Sequence, residues 1–455
     1  MSEKDKTILI VIIAFVAACG CFFVSCCAAG TILLSRIDRK TNSGIISDND
    51  IDGSVISDNK INTEDQNGLS KAEQLIINET EKIRQLSADE KMAPVYQTEE
   101  ELRNYLVDQL KDVTDEELKD ELNLYYILGF APKGFDLRQF YVDMYSEQIA
   151  GFYDPEENLM YLIEDDSSYN NAVTLAHEYT HYLQYNNSDF KDILVYDDDY
   201  CEENGEKCII IDAIIEGDAT LTESLIDVDS IIGSYKNNSN NSSTENNVFD
   251  NAPKFFQDSM LFPYIYGYDF VMYQYLKGGF DQVNKLYTNL PESVEQIMHP
   301  EKYLHDKPVD VTMEPFRSLI SKEFDIIQDD VLNESDILMI LSSGYKNEWQ
   351  LNERQAAAGA AGWGGGSFIF GENNNEFIFF SKTVWDNVKE AEEAETVFAL
   401  YSDKRFGNSV GLNEWKDDSF NVHLIRQDDV LFWMIFPDNF EADTFLDLIK
   451  NGSVM

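Results

Sequence analysis

Thr174 to Gln184 reads TLAHEYTHYLQ. It holds His177, Glu178 and His181 at His-Glu-x-x-His spacing, in a chain of 455 residues with only five histidines. On a helix, residues i and i+4 lie on one face. The spacing therefore predicts a helix that offers two imidazoles to one metal ion. Glu178 directly follows the first histidine and projects to the side of that ion. There it can take a proton from a metal-bound water instead of binding the metal itself. Val173, Ala176, Tyr179 and Leu183 supply an apolar flank that would bury the helix. The competing reading is an ordinary helix with two partly exposed histidines and no metal.

A catalytic zinc keeps three protein ligands and one open position, so a third ligand must come from another segment. His299, His305 and His423 do not stand at the spacing of the longer His-x-x-Gly-x-x-His extension. The candidate is Glu216 in IIIDAIIEGDATLTESL, an acid preceded by Ile214 and Ile215. A carboxylate among isoleucines needs a partner, and a metal is a good one. Otherwise Glu216 is one more solvated acid in an acidic chain. Asp212 and Asp218 are candidates to orient a histidine N–H. His299, in EQIMHPEKY, and Tyr303 are candidates to stabilise an oxyanion. The plainer readings are a helix-end histidine before Pro300 and a packed tyrosine. The strand expected over Leu159 to Ile163 could accept an extended peptide as an added strand, or be an ordinary core strand.

Composition narrows the partners. Net charge is −50, from 84 acidic and 34 basic residues. Nucleic acid and anionic membrane surfaces need clustered Lys and Arg, so neither is expected. Hydrophobic content of 44% and aromatic content of 13% suffice for a packed core. The length exceeds one small domain.

Ile8 to Leu34 carries no charge and is long enough to cross a bilayer core of about 30 Å. It predicts an N-terminal transmembrane helix. VAAC at Val16 to Cys19 offers a lipidated Cys19 as the alternative. Lys4 and Lys6 before the span balance Arg36, Arg39 and Lys40 after it, with the α-amino group counted. Four of the six cysteines lie in the span, and Cys201 and Cys208 form a close pair outside it. A disulfide-bridged loop outside the cytoplasm suits that pair; two separate thiols are the alternative. The expected location is the cell membrane, with the bulk of the chain outside the cytoplasm.

Four stretches follow: an anchor over 1–40, a polar stalk over 41–68, a main domain over 69–330, and a C-terminal unit over 331–455 packed on it. Thr98 with Glu101, and Thr114 with Glu117, read as capping boxes that open helices. Asp154-Pro155 reads as a turn before the strand. Tyr235 to Asn247 is a polar insert, and Pro253 to Tyr287 is aromatic-rich and helical in pattern. Beyond Asp330, segments such as EFIFFSKTVW and DVLFWMIFPD read as strands, and WDNVKEAEEAETVFALYS as a helix. The fold class is α+β, mostly helical in the main domain.

LAHEYTHYLQ, followed by IIEGDATL, resembles a group of zinc metallopeptidases with a HEYTHALQDQ-type helix and a later EGDA segment. The likeness extends to YSEQIAGFYDPEENLMYL, MLFPYIYGYDFV, LPESVEQIMHPEKY, AAAGWGGGSFIF and TVWDNVKEAEEAETVF, spanning about Glu99 to Phe398. It implies a zincin-like domain with a gluzincin-like site holding one zinc per chain. His177, His181 and Glu216 would be the ligands and Glu178 the general base, with a peptide or protein as substrate. The chain departs from the pattern in HYLQYNN, which lacks the acid after Gln184, and in Gly366, where Asp is common. The expected function is a membrane-anchored zinc metallopeptidase. From a different class comes a cell-surface binding or adhesion protein with a structural or inactive zinc site. A zinc hydrolase acting on some other amide is a third option.

Overall fold

The structure is a computed structural model. It describes residues 68–451 except 112, 164–167, 195–199, 202–203, 229–230 and 232–247. The expected anchor, the stalk up to residue 67 and the polar insert lie outside the described residues. Among those described, no helix is long and apolar enough to cross a membrane.

The chain is α+β. Helix α1 (Lys71–Arg84) opens with a capping box of Ser70 and Glu73. Helices α2 (Glu99–Gln109) and α3 (Asp115–Leu128) open with the expected boxes at Thr98/Glu101 and Thr114/Glu117. In each, the threonine satisfies an N–H that the first turn leaves unpaired. Gly129, at φ +82°, ends α3 in the left-handed conformation that glycine adopts without strain. Helix α4 (Leu137–Gln148) leads into a three-stranded sheet in the order β1-β3-β2. Here β1 is Val95–Gln97, β2 Gly151–Asp154 and β3 Leu159–Ile163. Strand β3 pairs parallel with β1 and antiparallel with β2. It is the central strand, with β2 along Leu159–Leu162 on one edge and β1 along Tyr161–Ile163 on the other, so it is not an edge strand open along its length to an added peptide.

Helix α5 (Ser168–Tyr185) carries the His-Glu-x-x-His residues, and α6 (Gly205–Ser224) packs against it. From Ile210 to Thr222 every residue of α6 is buried. Such a helix runs through the middle of the molecule and needs no polar stripe. The disulfide Cys201–Cys208 ties its first turns to the preceding segment. Helices α7 (Lys254–Phe262) and α8 (Tyr268–Gly278) are joined by a π-turn over Pro263–Gly267. Pro263 lacks the N–H that would continue the α-helical ladder, and the turn widens there.

The second sheet is antiparallel with six strands in the order β4-β5-β6-β9-β8-β7. They are β4 Asp325–Val331, β5 Trp363–Asn373, β6 Glu376–Trp385, β7 Glu414–Lys416, β8 Phe420–Gln427 and β9 Val430–Pro437. The boundary expected at 330/331 falls inside β4. Helices α9 (Glu334–Ser342) and α10 (Glu353–Ala360) precede β5, α11 (Val388–Phe406) follows β6, and α12 (Asp443–Lys450) closes the described chain. Successive strand residues face opposite ways. Phe379 joins the main core with Phe398 and Tyr401 of α11, while Phe380 joins a second cluster with Phe445 and Ile449 of α12. Both faces of the sheet are covered, which explains why Phe377–Phe380 of β6 and Val430–Phe436 of β9 read as unbroken apolar runs. The main core extends from Leu102 to Ile435 and joins the helices around α6 to the sheet.

Candidate metal centre

Helix α5 brings His177 and His181 onto one face, with ring centroids 4.8 Å apart. Helix α6 delivers Glu216 between them. Its Oε2 lies 3.1 Å from Nε2 of His177, and its Oε1 lies 3.5 Å from Nε2 of His181. One ligand atom from each residue converges within 4.8 Å, and this group could hold a metal ion. His177, His181 and Glu216 are 1%, 4% and 1% exposed, so a charge among them is shielded from water. Two nitrogens and a carboxylate oxygen are a fitting donor set for a transition metal.

The outward nitrogens decide the tautomers. Nδ1 of His177 lies 3.0 Å from Oε2 of Glu223, and Nδ1 of His181 lies 2.9 Å from Oε1 of Gln184. The amide nitrogen of Gln184 donates to the Ile215 carbonyl and to Asp218, each at 3.1 Å. Its carbonyl oxygen must therefore face His181, which donates from Nδ1. With Nδ1 committed to those acceptors, Nε2 is the atom each imidazole turns toward Glu216, and it offers a lone pair to a metal once its proton is released. Asp218 is held in turn by Arg84, with Nε at 2.8 Å, and by the Tyr287 hydroxyl at 2.7 Å.

Glu178 is fully buried beside this group, and neither of its carboxylate oxygens has a hydrogen-bond partner; Nε2 of His181 and Oε1 of Glu216 lack one as well. Orphaned polar atoms this deep are costly. A cation among the ligands, with water beside Glu178, would satisfy them. Burial pushes the Glu178 carboxyl up to about 7, against the pull of His177 and His181. Burial disfavours a charged His177, yet Glu223 and Glu216 outweigh it and hold its pKa well above the ordinary value. Burial opposes charge on His181 too, and Glu216 overcomes it. Glu216 is lowered in spite of burial, by His181 and His177. These groups compete for a proton, and a metal would take its place.

The α6 backbone comes very close to the π-turn. A Cβ on Gly217 would sit 2.4 Å from the Gly267 carbonyl oxygen, and one on Gly267 would sit 2.1 Å from that of Ala213. This contact places the Tyr264 ring 6.2 Å from His177.

The other expected residues lie as follows. Asp218 acts on His181 through Gln184. Asp212 lines a cavity next to Glu216, and the two outward histidine nitrogens belong to Glu223 and Gln184. Nε2 of His299 is 2.9 Å from Glu334, and Nδ1 is 4.0 Å from Glu301. His299 is outside the converging ligand group; its hydrogen bond to Glu334 raises its pKa. Tyr303 donates its hydroxyl to the Asn289 carbonyl and packs edge-on against Phe270. A second acidic group of Glu295, Asp306 and Asp386 surrounds Lys302, whose Nζ lies 2.6, 3.2 and 2.9 Å from them. An ammonium already fills that place.

Gln184 and Glu223 belong to no motif that marks them as functional, although their positions carry a signal. Gln184 stands three residues after His181, and Glu223 stands seven after Glu216, two turns on along the same helix face. Comparison with protein-family models, with curated proteins and with solved structures finds no match for this chain.

Proposed function

We propose that the chain is a zinc-dependent metallopeptidase with a zincin-like main domain, anchored at the cell membrane by Ile8 to Leu34 and working outside the cytoplasm. One observation carries the reading. Two histidine nitrogens and the Glu216 carboxylate converge in a buried place beside Glu178, whose oxygens have no partner. The donor set suits one zinc held by His177, His181 and Glu216. When bound there, zinc supplies a Lewis acid for the peptide carbonyl and acidifies the attacking water. Glu178, whose carboxylate oxygens have no hydrogen-bond partner, would accept the proton of that water. Glu223 and Gln184 hold the two rings in register. The likeness of LAHEYTHYLQ and IIEGDATL to zinc metallopeptidases supports the same assignment. The Cys201–Cys208 bond supports an oxidising compartment.

The closure of the site favours a second reading, a cell-surface binding protein whose metal is structural or inactive. None of the three ligands is more than 4% exposed. Against it stands Glu178, because a structural metal site completes its own coordination and needs no adjacent base.

Metal analysis of the full chain in detergent separates the readings, with Glu178→Gln and His181→Ala alongside. About one zinc per chain is expected in the parent and in Glu178→Gln, and none in His181→Ala. Cleavage of a broad peptide library should be present in the parent and absent in Glu178→Gln. Absence of zinc from the parent ends the enzyme reading. Zinc without Glu178-dependent cleavage transfers support to the binding protein.

A further inference from the structure

Three segments meet around a groove of about 520 Å³. Phe135 comes from the turn between α3 and α4, and Lys254 and Gln257 come from the first turn of α7. Tyr345, Asn347 and Gln350 come from the loop between α9 and α10. The volume falls in the range of about 300–1,000 Å³ that holds small ligands. None of His177, Glu178, His181 and Glu216 lines it, so it is separate from the metal group.

The walls are held in place. Phe135 packs on Phe140 at 5.1 Å and on Phe256 at 5.9 Å, and Tyr345 meets Trp349 edge-on at 4.9 Å. The Lys346 ammonium lies 4.5 Å from the Trp349 ring centre. The Tyr345 N–H donates to the Gly129 carbonyl at 2.9 Å, and Lys404 donates to the carbonyls of Glu348 and Gln350 at 3.4 and 3.1 Å. Rings and loops already fixed cost little ordering when a ligand arrives.

The polar atoms of the lining point to one kind of ligand. The amide nitrogen of Gln257 donates to the carbonyls of Asp250 and Ala252 at 3.4 and 3.0 Å. That of Gln350 donates to the Gly344 carbonyl at 2.8 Å and to Oδ1 of Asn347 at 3.4 Å. Each glutamine therefore keeps Oε1 as an acceptor, and Asn347 keeps its amide nitrogen as a donor. The Lys254 ammonium is neutralised by Asp258, and Asp250 adds an acid to the wall. An anionic ligand finds no spare cation in this lining. A peptide brings one backbone N–H per residue, whereas a sugar ring brings a hydroxyl on most of its carbons. Its C–H faces also lie flat on aromatic rings.

We propose that this groove binds an uncharged oligosaccharide, with a sugar face on Tyr345 and hydroxyls donating to Oε1 of Gln257 and of Gln350. The site stands independently of the peptidase reading.

Ligand-observed NMR on the full chain, in a detergent without a sugar headgroup, tests it with chitotriose, maltotriose, cellotriose and mannotriose as probes. At least one of the four should show saturation transfer. Tyr345→Ala should weaken that probe about tenfold or more, while Tyr345→Phe keeps the ring and most of the affinity. Gln350→Ala should weaken it about 2- to 10-fold, the loss of one hydrogen bond. Thermal unfolding reports whether each variant folds. Chelation of metal should leave the binding unchanged. No signal from any of the four sugars overturns the proposal. So does binding that Tyr345→Ala leaves intact, binding lost on chelation, or tighter binding of trigalacturonate than of every neutral probe.

Discussion

Oε1 of Gln184 lies 2.9 Å from Nδ1 of His181, and it cannot swing away because the Gln184 amide nitrogen is bound to Asp218 and to the Ile215 carbonyl. A side chain one helical turn beyond the second histidine thus sets which nitrogen of that histidine carries the proton. Replacing Gln184 with Leu removes the acceptor while keeping bulk. Zinc affinity should fall about 10- to 100-fold, the usual effect of losing a group that orients a ligand. Competition with a chromogenic chelator measures it. An unchanged affinity would make Gln184 a spectator.

Arg84 and Asp218 stand 134 residues apart in the chain and meet with both side chains fully buried. The Arg84 guanidinium also lies 4.7 Å from the Phe280 ring centre and donates to Asn284. Asp218→Ala leaves that guanidinium buried without its counter-charge. The expected loss is about 3–5 kcal/mol of stability, typical of breaking one side of a buried pair. Urea unfolding of parent and variant gives the difference. A loss below about 1 kcal/mol would mean that water reaches Arg84.

Gly217 has no room for a methyl group. Its Cβ would press on the backbone of Gly267 at 2.4 Å, and backbone yields less readily than a side-chain tip. Gly217→Ala should cost about 1–3 kcal/mol by overpacking. Gly134 has open space around its would-be Cβ but a φ of +77°. Ala there strains the backbone without any steric clash, at about 1 kcal/mol. Thermal unfolding of the two variants should rank Gly217→Ala as the more damaging.

Glu121 accepts the hydroxyls of Tyr125 and Tyr141, both at 2.7 Å, and burial pushes its carboxyl up to about 8 from an ordinary 4.5. Between those values the unfolded chain has lost the proton and the folded chain keeps it. Folding then takes up a proton, and stability falls as pH rises, by at most about 1.4 kcal/mol per pH unit. Gln keeps an oxygen for the two tyrosines and has no proton to lose. Glu121→Gln should therefore gain stability on the parent steadily from about pH 5 to about pH 8. A difference independent of pH in urea titrations would contradict the raised carboxyl.

What could be read in advance was local. The capping boxes at Thr98 and Thr114 involve residues three apart, and helix geometry alone brings them together. His177 and His181 share a face for the same reason. Glu216 stood out because a carboxylate among isoleucines is expensive without a partner. Sequence spacing could not show that β3 is flanked on both sides, that the main core joins α6 to the sheet, or that Glu334 is what His299 meets. Nor could it connect Arg84 to Asp218, or bring Phe135 and Tyr345 to one groove. Helical periodicity and turn chemistry act within a few residues, so short segments carry them. The partner of a buried charge and the walls of a cavity depend on which distant elements pack together, and that is settled by burial across the whole chain.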